Sequence, residues 1–190
     1  MPRVSRKQAD LNREIIVEAA TRLFRERGLH GISVVDVMAA AGLTHGGFYG
    51  NFASKEQLMA EACARAFDSG GERWRGVVER EGKDGAMAAI ADAYLSRRHI
   101  DHPGAGCTVA ALGADVARLA PPVRAAMTAG VKAQIDLLAP LLDDNPATGR
   151  ARAIADYAAM VGALVLARAV DDVALSDEIL ATVRKVVGPA

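Results

Sequence analysis

Alanine fills 39 of the 190 positions, whereas Phe, Trp and Tyr together fill only eight. Alanine is the strongest helix former, and no stretch alternates apolar and polar residues long enough to make a half-buried strand. The chain is therefore expected to be all-α, with about nine helices. A hydrophobic share of 51% excludes a disordered chain. A chain of this length buries roughly 70% of its unfolded surface, so it needs no metal or disulfide staple. The two cysteines, Cys63 and Cys107, make no disulfide framework and suit a reducing compartment. The basic start Met1–Gln8 leads into no apolar leader segment, and the longest apolar run, Tyr157–Ala167, is too short to cross a bilayer. A cytoplasmic protein with no membrane partner is expected.

Helical periodicity organises the chain. Leu11, Ile15, Ala19 and Leu23, with Ala20 and Phe24, predict one buried face on a helix over Asp10–Arg27 that Gly28 ends. Ser33 with Asp36 reads as a cap for a short helix ending near Ala41, Thr44 caps a third segment to about Phe52, and Ser54-Lys-Glu-Gln opens a longer helix to about Phe67. Ser69-Gly70-Gly71 then predicts a break, followed by helices over 72–80 and 85–97. The Pro/Gly-rich stretch from His99 to Gly106 reads as a loop. Further helices are expected from Cys107 to Leu119, from Pro121 to Leu138 before Pro140, and from Pro146 to Val170. A last one, capped by Ser176, should stop before Gly188-Pro189.

The stretch Ser33–Phe52 carries the chemistry. Two short helical segments joined by Gly42-Leu43-Thr44 form the pattern of a helix-turn-helix, whose second element enters the DNA major groove. Residues 1–55 hold eight Lys/Arg against five Asp/Glu, an excess of three positive charges, while the remainder carries the opposite excess. A basic head is suited to a polyanion. Ser33 and Thr44 stand at helix starts, where free N–H groups favour phosphate. Tyr49 can donate its phenol to a phosphate, and Lys55 lies beside the same strand. His45 is the best direct reader of a base, Thr44 can touch a thymine methyl, and Gly46 and Gly47 let the backbone approach closely. Asn51 completes the candidate DNA-binding set. Phe48 and Phe52, four apart, are expected to anchor this element on the first helix.

The runs Ala19–Gly28, Ser33-Val-Val-Asp-Val and Ala41-Gly-Leu-Thr-His-Gly-Gly-Phe-Tyr-Gly-Asn-Phe-Ala-Ser-Lys-Glu-Gln-Leu resemble the TetR (TetR/AcrR) family of bacterial transcriptional regulators, densely over about residues 13–60. The resemblance implies a DNA-binding head, residues 1–53, and a ligand-binding and dimerisation body, residues 54–190. It implies a homodimeric repressor on double-stranded operator DNA in the bacterial cytoplasm, at the nucleoid, released by an unknown small-molecule effector or an electrophile or oxidant. By motif position it assigns phosphate contacts to Ser33, Tyr49 and Lys55, and base contacts to Thr44, His45 and Gly46. Gly47 stands where the family commonly has Thr, Gly50 where a larger residue is usual, and Met38 where Ala is frequent.

In the body, Asp156 is the only charge between Ala153 and Ala167, so that helix must be covered on more than one side. Ala155, Ala159, Gly162, Ala163 and Leu166, with Ile179 and Val183 from the last helix, form the expected dimer face. Phe67, Trp74, Met87, Tyr94, Met127 and Met160 are candidate pocket residues, and equally candidate core fillers. Cys107 follows Gly104-Ala-Gly at a helix start, which suits a sensor thiol or a small packed residue. His99, His102 and Cys107 lack a fourth ligand at a familiar spacing, so neither metal nor cofactor is expected. Enzymatic use of Cys107 with either histidine lacks a positioned third member. Gly47 and Gly50 leave room for a rival reading, a helical carrier that no longer binds DNA.

Overall fold

The computed structural model describes residues 6–188, so Met1–Ser5, Pro189 and Ala190 lie outside it. Among the described residues there are eight α-helices and no strand. They are α1 (Arg6–Arg27), α2 (Val34–Ala40), α3 (Lys55–Tyr94), α4 (Arg97–Asp101), α5 (Thr108–Val116), α6 (Pro121–Leu142), α7 (Pro146–Ala169) and α8 (Val173–Arg184). Two 3₁₀ turns, His45–Gly50 and Pro103–Ala105, complete the order. Dividing α3 at its kink makes nine helical segments.

Two cores meet along α3. The first gathers Ile16, Val17, Ala20, Leu23 and Phe24 of α1 with Val37, Met38, Phe48, Phe52, Leu58, Met59 and Cys63, and is closed by Leu112, Val116 and Val123 from the body. The second joins Met87, Ile90 and Tyr94 of α3 to Leu138, Tyr157, Met160, Leu164 and Leu180. The head thus owns no closed core of its own. Ser54, the N-cap of α3, marks the expected 53/54 boundary, yet side chains on both sides of it share one apolar cluster.

Several elements differ from the sequence reading, each for a physical reason. Leu11 and Ile15 are 49% and 46% exposed, because the face of α1 that packs is turned toward Ile16 and Val17. The helix from Ser54 does not break at Ser69-Gly70-Gly71. Packing overrides the poor helix propensity of glycine there, since Gly71 is buried and a Cβ on Gly70 would lie 3.7 Å from Gln134 Nε2 of α6. The break comes instead at Gly82, whose φ of +69° is available to glycine at no steric cost. Pro140 lies inside the last turn of α6, which runs on to Leu142. Ser176 does not cap the last helix: Asp172 does, and the buried Ser176 hydroxyl donates to Ala167 O at 2.8 Å. His99 sits in the short helix α4, not in a loop.

The most extensive helix pair is α3 with α6. Phe67 of α3 lies flat against Gly130 of α6, so closely that a Cβ at 130 would fall within its ring. Gln134, one turn on, donates to Phe67 O at 3.5 Å. Gly130→Ala should therefore cost about 1–3 kcal/mol through overpacking. In contrast, Gly76→Ala, in the same helix pair but with only Arg80 nearby, should be neutral or stabilising by about 0.5–1 kcal/mol. Urea unfolding of the two variants measures both.

Candidate nucleic-acid interface

The head is assembled by local chemistry. Ser33 and Asp36 form a full capping box: Asp36 N donates to Ser33 Oγ (3.1 Å), and Ser33 N donates back to Asp36 Oδ2 (2.8 Å). The Ser33 hydroxyl also donates to Asp36 (2.6 Å), and these bonds hold the Asp36 carboxyl below its ordinary pKa. A phosphate arriving at Ser33 would meet a hydroxyl already given to a neighbouring carboxylate. Gly42, at φ +69°, makes the turn that follows α2.

The segment after Thr44 is a 3₁₀ turn, His45–Gly50, rather than an α-helix, and the Thr44 side chain makes no cap hydrogen bond. Two consecutive glycines suit so tight a helix. Phe48 and Phe52 are buried and stack at 5.6 Å between centroids, as expected of anchors. The Arg13 guanidinium lies 4.2 Å over the Phe52 ring, donates to Asn51 O and pairs with Glu61 of α3 at 2.5 Å. Arg13 thus ties the turn to both α1 and α3. It was absent from the candidate set, and its place on α1 carried no sequence signal that would have added it.

With the turn so fixed, its outer side is open. Thr44, His45, Gly46 and Tyr49 are exposed, Tyr49 by 70%, and the Tyr49 ring stands edge-on to His45 (5.9 Å) and to Phe48 (5.3 Å). A Cβ at Gly46 or Gly50 would meet nothing within 4 Å, whereas one at Gly47 would lie 3.5 Å from Met38 Cε. Met38 and Gly47, two of the departures from the family pattern, are therefore a matched pair, the larger side chain of α2 occupying space next to the missing one. Asn51 is half-buried, and its amide donates to Gly47 O at 2.7 Å, closing the turn. Lys55 donates to Leu29 O at 3.1 Å, tying the start of α3 to the end of α1 and leaving two N–H donors uncommitted.

The body candidates divide. Trp74, Met87, Tyr94 and Met160 meet in the second core, where Trp74 lies 6.3 Å from Tyr94 and 5.9 Å from Tyr157. Met127 packs against the first core instead, and Phe67 lies against Gly130. Cys107 is half-buried at the N-cap position of α5, its thiol 3.9 Å from the Tyr157 hydroxyl and its side chain making no cap bond. His99 accepts from Cys107 N at 2.8 Å through Nε2 and faces Tyr94 O at 2.7 Å through Nδ1, an arrangement for a neutral ring. Exposed His102 stands apart from this pair. Of the expected dimer face, Leu166 is 57% exposed, Ala155 is exposed, and Ala159, Gly162, Ile179 and Val183 are half-buried. Ala163, however, is enclosed in the chain's own second core. Ile154, Val165, Val173 and Leu175 are further exposed apolar residues of α7 and α8. Among the described residues no helix is long and apolar enough to cross a membrane.

Two helical segments about a glycine turn, carried on a helical body, form a helix-turn-helix arrangement. Residues 16–62 match the family model described as bacterial regulatory proteins, tetR family. The repressor KstR2 of Mycobacterium tuberculosis is 35% identical over 72 residues, 38% of this chain and 36% of that protein. DhaR of Mycobacterium sp. strain GP1, also a transcriptional repressor, is 40% identical over 55 residues, 29% and 28% of the two chains. The matched segment thus spans only about a third of the length of these curated relatives. The fold extends further: reduced Escherichia coli NemR superposes with a TM-score of 0.79 at 23% identity, over 93% of this chain and 94% of its own. FadR of Bacillus subtilis, solved in complex with stearoyl-CoA, gives 0.65 at 18% identity over 90% and 96%. Residues 16–62 are thus similar to the bacterial regulatory proteins of the tetR family, and the described chain as a whole shares the fold of these solved structures.

Burial holds the His99 ring at a pKa of about 4, with Arg168, Arg73 and Arg25 adding repulsion and only its bond to Tyr94 O opposing. Because the folded value lies below the unfolded one of about 6.5, the unfolded chain takes up the proton first. Stability from this group is complete above pH 6.5 and is lost as pH falls toward 4. Urea midpoints measured across that interval should drop, and the drop should be smaller in His99→Gln.

Proposed function

We propose that this chain is a homodimeric repressor that grips operator DNA with the His45–Gly50 turn and is released by a signal received in the body. The carrying observation is the outer side of that turn, where Thr44, His45, Gly46 and Tyr49 stand exposed while Phe48, Phe52 and Arg13 fix the backbone behind them. Buried anchors and exposed polar groups on one short element are what groove insertion requires. Thr44 and Tyr49, whose hydroxyls make no bond among the described residues, serve as phosphate donors. Lys55 adds a charge nearby, His45 reads a base, and Gly46 and Gly47 permit close backbone approach. Asn51 acts by holding the turn, and Ser33 reaches a phosphate only by giving up its hydroxyl bond to Asp36. The head, residues 1–53, works as the DNA module and residues 54–190 as the sensing and pairing module.

The apolar residues Ile154, Val165, Leu166, Val173 and Leu175, exposed in one copy, support pairing through α7 and α8. Two-fold pairing presents two turns to half-sites about 34–36 Å apart. The signal would enter near Trp74, Tyr94, Met160 and Cys107, where a small molecule, or an electrophile or oxidant attacking the Cys107 thiol, would disturb the second core and through α3 the spacing of the turns. The NemR neighbour is described in a reduced form, which keeps the thiol route in view.

Gel shifts with the chain's own upstream region test the DNA reading. Tyr49→Phe should weaken binding about tenfold on every sequence alike, whereas His45→Ala should relax preference at one base pair, worth about 1–3 kcal/mol. Wild-type operator affinity in both variants would exclude the turn as the DNA-contacting element. Leu166→Glu, which adds a charge to the exposed face while leaving the single-chain core untouched, should give monomers by light scattering and lose cooperative operator binding.

A further inference from the structure

Three guanidinium groups from three different helices converge on one short loop. Arg25 of α1 donates to Gly106 O at 3.0 Å, Arg73 of α3 to Ala105 O at 3.4 Å, and Arg168 of α7 to His99 O. A Cβ on Gly106 would lie 3.1 Å from Arg168 Nη2, so the third group stands against the residue whose carbonyl the first one uses. None of the three has a carboxylate within ion-pair distance among the described residues. Glu18 attracts Arg25 only from beyond that range. Seven other arginines, Arg13, Arg22, Arg65, Arg80, Arg97, Arg150 and Arg184, each pair with an acid. Here Arg25 is only 9% exposed, and the Nε of Arg168 is buried with no partner at all.

Two carboxylates stand nearby, Glu18 of α1 and Glu26, the latter against Gly104 and paired with Arg22, and neither reaches ion-pair distance of the three. His99 is held neutral by burial and by these three cations. The amino end of α5 opens on the same loop, and its N-cap side chain makes no bond to it. Buried cations without a counter-charge are costly, and a guanidinium fork is matched by a carboxylate. Beside Arg25, between α1, α3 and α5, runs a crevice lined by Phe24, Ala62, Cys63, Ala66 and Leu112, closed to water in this conformation. Thr108 stands with Arg25 at its polar wall.

We propose that Arg25, Arg73 and Arg168 form a binding site for the carboxylate of an organic acid whose apolar stem enters the crevice between α1, α3 and α5. The site spans head and body: Arg25 belongs to α1, whose Arg13 holds the end of the His45–Gly50 turn, while Arg73 and Arg168 belong to the body. Filling the crevice separates α1 from α3 and α5, so occupancy bears directly on the head. This names an effector class for the regulator proposed above, and its regulatory consequence rests on that reading, but the binding itself does not require DNA.

The full chain without DNA is titrated with octanoate, octanol and inorganic phosphate. Binding is followed by the emission of Trp74, the single tryptophan and next in sequence to Arg73, and by the melting temperature. Octanoate should bind saturably to the wild type and to Cys107→Ser, and at least tenfold more weakly to Arg73→Gln and to Arg168→Gln. Octanol and phosphate should not saturate. Both arginine variants remove groups that are not enclosed in the core, and their own melting curves establish that they fold. Absence of octanoate binding to the wild type, wild-type affinity in either arginine variant, or phosphate binding as tightly as octanoate would overturn the proposal. Because no arm contains DNA, failure here leaves the operator reading standing, and failure of the gel shifts leaves this site standing.

Discussion

One helix sets the terms for everything else. The first part of α3 lies in the core that holds the His45–Gly50 turn, through Leu58, Met59 and Cys63, and its far part lies in the body core, through Met87, Ile90 and Tyr94. Between them Phe67 is seated on Gly130 and fixes α3 against α6. A close-packed interior transmits displacement because its side chains have no slack. A shift of α3 within the body must therefore be taken up either at Gly82, where the helix already kinks, or in the head core at the other end.

The His45–Gly50 turn depends on this arrangement more than on its own helicity. It is a 3₁₀ turn of six residues with three glycines, which would not persist alone. Stacked Phe48 and Phe52, the Arg13 guanidinium over Phe52, and the bond from Asn51 to Gly47 O keep it in place. Arg13 also pairs with Glu61 of α3, so the groups that shape the exposed side of the turn are attached to the helix that leads into the body. Lys55, bonded to Leu29 O, ties the start of α3 to the end of α1 in the same way.

The loop around Gly106 is a second junction between the two parts. Gly104 lies so close to α1 that a Cβ would collide with Glu26 and Arg22, and Gly106 lies as close to the His99 ring. The head is thus held by α3 on one side and by this loop, through Arg25, on another. Two separate attachments constrain the orientation of the head more strictly than a single helix could.

What the sequence determined by itself was local. The cap at Ser33, the turn at Gly42, the anchors Phe48 and Phe52 and the N-cap of α3 at Ser54 were all legible, because each rests on bonds and side-chain spacings within a few residues. Tertiary structure decided the rest. Whether Ser69-Gly70-Gly71 breaks a helix depended on α6 packing against it, and which face of α1 is buried depended on what it packs against. Ala163 points into its own chain because of where Leu138 and Leu180 lie. Arg25 is buried although charged; it continues the row Val17-Thr21 at helical spacing and gives its Nε to Thr21 O, but its second acceptor is the distant carbonyl of Gly106. Contacts across 81 positions leave no periodic trace in the chain, since their geometry arises only when the helices have assembled.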